Sequence, residues 1–529
     1  MKKIALLAAV ATAATAYAQD ITTEVVVDRT AAPVERAATR PTRLVPSVTL
    51  PAVEPVQLST ANYSLLSPIE RSFTILQPPA GVATPVASPY RGYVTAAYGP
   101  AYNLSVIAGY RALATDNATL DVHADFDGFS HRDPNYDARQ IYNAFAIGAD
   151  YALRVNDYSR LNASVGYSLS SSAHLTRHSQ SRNVGHLDLG WSSSVEGLDY
   201  EAWFLGEFNA SSDVEFKVPG NYHYDGLKQQ RFAIGGKATL PFDETYGFGV
   251  ALRGDFIHSS VDKNLGKSST PGIFSVRPFV ELSTDAITAT AGLNFDFFTS
   301  VNAKMYLSPQ VEITWRPDEI IALSAKATGG TGFNTIDDVL DICPLVGFIM
   351  PYDRYRLPFD IEGSFVAGPI SGVAITVSGG YAKAENLVTA GIGDLMSLSN
   401  VKGWHGKVAA EYSHRLWGIN TSIAFAQSGD GKGYYQWRDG ARMVFTAGGH
   451  IIPVEGLKVA LDYQFRDRRH VAQYNLGCVS NLSLRGDYTF NDRIDFFALG
   501  DNILSRRYQM TGGIFSQGIV VMVGANYKF

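Results

Sequence analysis

Apolar and polar residues alternate with a period of two from Arg91 to the end of this chain, in segments of about ten residues separated by turn-forming clusters. The segment Leu457 to Arg466 is the clearest. Leu457, Val459, Leu461, Tyr463 and Phe465 share one face, and Lys458, Asp462, Gln464 and Arg466 share the other. Met305 to Trp315 sets Leu307, Val311, Ile313 and Trp315 against Ser308, Gln310, Glu312 and Thr314, and Trp404 to Tyr412 is opposed by His405, Lys407 and Glu411. Strands of this kind need lipid on one side and water on the other. About 22 of them follow one another. No apolar run long enough for a membrane helix occurs after the N-terminal stretch. A mean hydropathy of -0.03 carries no signal, because only alternate residues would face lipid. The fold class expected is all-β: a transmembrane antiparallel β-barrel of about 22 strands spanning residues 91–529.

The connections support this. Asn491-Asp492-Arg493, Pro453-Val454-Glu455-Gly456, Leu416-Trp417-Gly418, Pro369-Ile370-Ser371-Gly372, Arg316-Pro317-Asp318-Glu319, Ser283-Thr284-Asp285 and Asp243-Glu244-Thr245 are tight and turn-like. The connections between them are longer: Ser211 to Asp225, Ser260 to Ile273, Gly329 to Arg354, Ala384 to Ser399 and Ser428 to Trp437. Short periplasmic turns alternating with long external loops are the habit of outer-membrane barrels.

The first 90 residues read differently. Lys2 and Lys3 precede an apolar run, Ile4 to Val10, and Ala16-Tyr17-Ala18 gives a small-x-small cleavage site before Gln19, so residues 1–18 are expected to be a signal peptide. Residues 19–90 carry prolines from Pro33 to Pro89 that deny them a regular helix or a central strand. A short, extended periplasmic or lumenal segment is expected there. The formal charge of -6 suggests no nucleic-acid partner. Cys343 and Cys478 are the only cysteines, and an oxidising compartment permits a bridge between them without requiring one.

Several local features resemble known families. The final strand ends in Tyr527 and Phe529, similar to the C-terminal signal read by the machinery that inserts β-barrels into the outer membrane of Gram-negative bacteria. The run Asp501-Asn502-Ile503-Leu504-Ser505-Arg506-Arg507-Tyr508 resembles the asparagine-leucine to tyrosine signature before the last strand of TonB-dependent transporters, whose barrels have 22 strands. Glu24, Val25, Val26, Val27 and Asp28 resemble the box by which TonB pairs a strand to its receptor. The resemblance implies an outer-membrane location, contact with lipid and the barrel-assembly machinery, and TonB or another periplasmic partner. It stops at the plug domain, whose signatures are absent from the Pro-rich segment. A barrel this wide leaks unless something fills it. The segment Thr22 to Pro89 could fold back into the lumen, and the loop Gly329 to Arg354 could fold inward, because Leu340, Ile342, Leu345, Phe348 and Ile349 make it too apolar for a solvated loop. A separate protein could also occlude the pore.

Asp121, His123, Asp125 and Asp127 fall on one face of a strand and are expected to line the lumen. Alternate strand positions lie about 7 Å apart, so one strand cannot cage an ion, and a polar stripe is ordinary in a lumen. No metal site or cofactor is expected. The aromatic groups Tyr222-His223-Tyr224 and Tyr434-Tyr435 with Trp437 suit either ligand stacking or an interfacial girdle. Enzyme signatures fail: Gly266-Lys267-Ser268 has Val261 where a phosphate loop needs its first glycine, and no nucleophile elbow occurs. The chain is therefore expected to be a non-enzymatic barrel that passes or takes up a solute under gating. The alternative is a barrel without transport that anchors or scaffolds an envelope complex.

Overall fold

The computed structural model describes residues 90–133, 138–174, 177–195, 197–212, 214–216, 222–224, 226, 228–260, 270–299, 304–336, 354–390, 396–428, 441–471, 474–511 and 514–529. They form a closed ring of 22 antiparallel strands, in which the first, Gly92–Gly99, pairs with the last, Val520–Lys528. The ring closes through Arg91 and Gly92, whose amides both donate to Phe529 O at 2.8 Å. The small hairpins Arg469–Val471 with Tyr474–Leu476, and Gln509–Thr511 with Ile514–Phe515, stand in the long connections.

The period of two dictates the two surfaces, because residues paired across strands share a face. Lys458, Asp462 and Gln464 pair with Asp487, Ser483 and Asn481 on the inner face, while Leu461 pairs with Leu484 on the outer. In the last strand Val521, Val523 and Tyr527 point out and are exposed, whereas Met522 on the inner face is buried. Ile234, Phe232, Val165, Phe365 and Ile375 are exposed in an apolar exterior band of the kind that barrels turn to lipid. Ile234 stands near the middle of strand Lys228–Pro241 and is 60% exposed. Ile234→Arg is expected to cost about 2–4 kcal/mol of folding free energy, read as a lower urea midpoint for folding into lipid vesicles.

All seven tight connections lie at one end of the ring. Three are built alike: Asp243 Oδ1 accepts from the amides of Thr245 and Tyr246, Asp318 Oδ1 from Ile320 and Ile321, and Asn491 Oδ1 from Arg493 and Ile494, at 2.7–2.9 Å. Short side chains that bond the backbone two and three residues on are the reason these positions turn. At Ser371-Gly372 both residues have positive φ, 52° and 88°, as a two-residue hairpin turn of type I′ requires.

Two expectations are corrected at the other end. The stretch from Ala384 to Ser399 is mostly strand: Val373–Ala390 and Met396–Ser413 continue pairing, with Leu387 opposite Ser399 and Val388 opposite Leu398. A bulge between Ala384 and Leu387, with Asn386 at φ 56°, breaks the alternation and hides the strand from a periodicity reading. Tyr222–Tyr224 is likewise a short strand, paired with Val214–Phe216, and not open loop.

Candidate functional site

The lumen wall is the candidate site, and its exposure changes along the axis. On strand Leu198–Ser211 the inward residues Asp199, Glu201 and Trp203 at the short-turn end are exposed, Leu205 and Glu207 are half-buried, and Asn209 is buried. Strand Met396–Ser413 shows the same gradient, from exposed Glu411 through half-buried Lys407 to buried Val401. On strand Leu457–Arg466 the inward residues are half-buried at Lys458, exposed at Asp462 and buried at Arg466, so the gradient there begins in mid-strand. Among the described residues, the lumen wall is more exposed at the short-turn end and more buried at the long-connection end.

Part of that packing comes from the chain beyond strand Ile321–Phe333. The strand bulges between Thr328 and Gly330, which turns Gly329 towards Ser308. A Cβ on Gly329 would lie 2.7 Å from Ser308 Cβ, so only glycine fits. The chain then carries Phe333 into a buried cluster with Ile257, Ile273 and Phe298. Asn334 and Ile336, at 1% and 0% exposure, continue inward. Asn334 Nδ2 donates to Asn386 O at 2.8 Å, and the Val388 amide donates to Asn334 Oδ1 at 3.2 Å. The Ile336 amide donates to Gln229 Oε1 at 3.0 Å. Gln229 lies on Lys228–Pro241 and Asn386 on Val373–Ala390, two wall strands that are not neighbours. Four residues thus bridge separate parts of the wall. A second apolar patch of Ala382, Ala384, Val401 and Ala426, with Leu357 and Leu387 against it, flanks the Asn386 side.

Charges on the wall are paired across strands. Arg231 grips Asp255 through Nε and Nη2 at 3.0 and 2.9 Å, Arg253 adds a third contact to the same carboxylate, and Arg231 Nη1 lies 3.7 Å from Glu207. The Asp255 side chain is fully buried. Lys237 meets Glu281 at 2.7 Å, and Glu362 sits between Lys326 at 3.5 Å and His405 at 3.2 Å. Near the long-connection end the Arg354 guanidinium lies 4.1 Å over the Phe298 ring and donates to Tyr306 Oη at 2.9 Å. Near the short-turn rim, Thr95, Asn526, Asp495 and Lys528 form a continuous polar chain.

Asp121, His123, Asp125 and Asp127 lie on the inner face of strand Ala118–Asp133, opposite Asp150, Gly148, Ala146 and Ala144. They are not a uniform anionic row, because Arg111 from the adjacent strand holds Asp121 through two hydrogen bonds of 2.8 and 3.0 Å. Among the described residues no three histidine, cysteine or carboxylate side chains are grouped to hold a metal ion. Tyr527 and Phe529 are exposed on the outer face. Asn502 is buried and ties down the turn after strand Ile494–Asp501: its Nδ2 donates to Arg506 O and Gln517 O, and its Oδ1 accepts from the Arg506 amide. Cys478 carries a free, exposed thiol. Outside the described residues lie Cys343, the expected signal peptide 1–18, the box-like Glu24, Val25, Val26, Val27 and Asp28, the loop residues Leu340, Ile342, Leu345, Phe348 and Ile349, and Tyr434, Tyr435 and Trp437. The roles of Arg231, Asp255, Asn334 and Gln229 were not legible in the sequence, because each depends on which strand comes to lie opposite.

No family model and no curated protein matches the chain. Solved structures do. The FrpB iron transporter of Neisseria meningitidis superposes with a TM-score of 0.63 at 13% identity, over 84% of this chain and 82% of that one. A mutant ferric enterobactin receptor, PfeA, of Pseudomonas aeruginosa gives 0.62 at 11%, over 83% and 80%. The siderophore receptor PirA of Acinetobacter baumannii gives 0.61 at 10%, over 84% and 81%. At these identities the likeness concerns the fold. The expected resemblance to the barrel of TonB-dependent receptors is met in the fold.

Proposed function

We propose that this chain is an outer-membrane barrel of a Gram-negative bacterium that passes a solute under gating. One observation supports the reading: among the described residues, a closed ring with a polar lumen is exposed at its short-turn end and buried at the other, in part by its own residues Phe333 to Ile336. A scaffold has no need of a polar bore closed at one mouth. The short-turn end is the periplasmic one, and Tyr527 and Phe529, outward-facing in the last strand, act as the insertion signal. Tyr90 stands at that rim, with the Arg493 guanidinium 5.7 Å over its ring, so the preceding Pro-rich segment joins the barrel on the periplasmic side. Glu24 to Asp28 would there meet TonB by strand pairing and transmit opening.

The test is single-channel conductance in planar bilayers, full length beside a version lacking residues 20–89. A silent full-length protein and a large, stable pore on truncation identify the segment as part of the gate. If both are silent, the wall contacts at the outer mouth close the barrel alone. A silent barrel that stays shut even with those contacts removed would overturn the transport reading in favour of an anchor.

A further inference from the structure

His123 and His186 stand on the inner face of strands Ala118–Asp133 and Arg177–Val195, with two strands between them. Across that gap Gly148 is the register partner of His123, Gly166 is the partner of His186, and the two glycines are partners of each other. A Cβ on Gly148 would lie 2.5 Å from His123 Nε2, and a Cβ on Gly166 would lie 2.1 Å from His186 Cε1 and 2.6 Å from its Nε2. Each imidazole therefore leaves its own strand and lies over the glycine next door. The two lean towards one another across glycines whose Cβ positions would be about 5 Å apart.

Rings over glycines occur elsewhere on this wall, as with Trp203 over Gly235 and Phe279 over Gly249, and there they simply cover bare backbone. The histidine pair differs because its two glycines are partners, which aims two nitrogen ligands at one space. A second feature orients the first ring. His123 Nδ1 lies 3.5 Å from Asp150 Oδ2, while its Nε2 is turned to the Gly148 side. Asp188 stands on the same face beside His186 and faces Ser164, itself the partner of Asp150.

We infer that His123 and His186 form a binding site on the lumen wall for a divalent transition-metal ion that prefers imidazole, of the Cu²⁺ and Zn²⁺ class, with Asp150 as the positioning residue. Two protein nitrogens without a closed set of further ligands make an open site. Water or the donors of a chelator complete the coordination, and the ion can leave as readily as it arrives. The inference rests on the transport reading only in calling this site a stop on a path, since binding itself is independent of flux.

The experiment titrates the purified full-length barrel in detergent with Cu²⁺, read by nitrogen hyperfine structure in electron paramagnetic resonance, and with Zn²⁺, read by calorimetry. Binding of one ion with nitrogen ligation is expected, weakened at least tenfold by His123→Ala or His186→Ala and about tenfold by Asp150→Asn. Gly148→Ala keeps both histidines and forces the first ring aside, so it should weaken binding too, and His450→Gln should leave it unchanged. Unaltered affinity in the His123→Ala, His186→Ala double variant, with heat-modifiable gel mobility intact, would overturn the site. Binding as described without metal flux in loaded vesicles would leave the site standing and count against transport.

Discussion

Replacing Asn334 and Gln229 together with alanine is expected to turn a quiet barrel into one that opens often. The pair makes three of the hydrogen bonds that hold the inward-turned chain to two separated wall strands. At about 1 kcal/mol each, their loss moves the closed-to-open ratio by about two orders of magnitude. Bilayer recordings should show the increase in open time, and cells carrying the variant should admit bulky antibiotics that the parent excludes. The apolar contacts of Phe333 and Ile336 remain, so the opening should be intermittent. Conductance unchanged in the double variant would mean that the mouth is not held by this bridge.

The second large effect lies in the wall. Asp255→Ala should lower barrel stability by about 3–5 kcal/mol, because it strands Arg231 and Arg253 beside a buried gap. The urea midpoint for folding into vesicles reads this directly. Replacing the pair with apolar residues, Arg231→Met with Asp255→Leu, should recover most of the loss, since the cost comes from an unmatched charge and not from the absence of a salt bridge. A double variant as unstable as Asp255→Ala would show that the remaining Arg253 and Glu207 need the pair's polarity.

The wall was legible where one strand's pattern suffices. Leu457 to Arg466, Met305 to Trp315 and Trp404 to Tyr412 assign their faces through period two alone, and turns such as Asp243-Glu244-Thr245 declare themselves through a side chain that bonds its own backbone. Reading failed where a single residue interrupts the period. The bulge at Asn386 made a long hairpin look like a loop. The site lay further out of reach. His123 was visible as a lumen residue, but its approach to His186 depends on the register of four strands, and nothing in either sequence neighbourhood encodes the other. The same holds for Asn334 against Asn386 and for Arg231 against Asp255.

The seam between Gly92–Gly99 and Val520–Lys528 governs how this molecule can be made. Thr95 and Asn526, bonded across it, are separated by 431 positions in the chain. Every other strand pairing of the ring joins strands that follow one another along the chain and can form as a hairpin, but the ring cannot shut until its two extremes meet. Contacts of such long range are slow to form. Until then the sheet has two unpaired edges and an oily exterior, the combination that most invites aggregation. A chain built this way is expected to fold best with an escort through water and a template for its open edges, and the slowest event in its biogenesis should be the meeting of its ends.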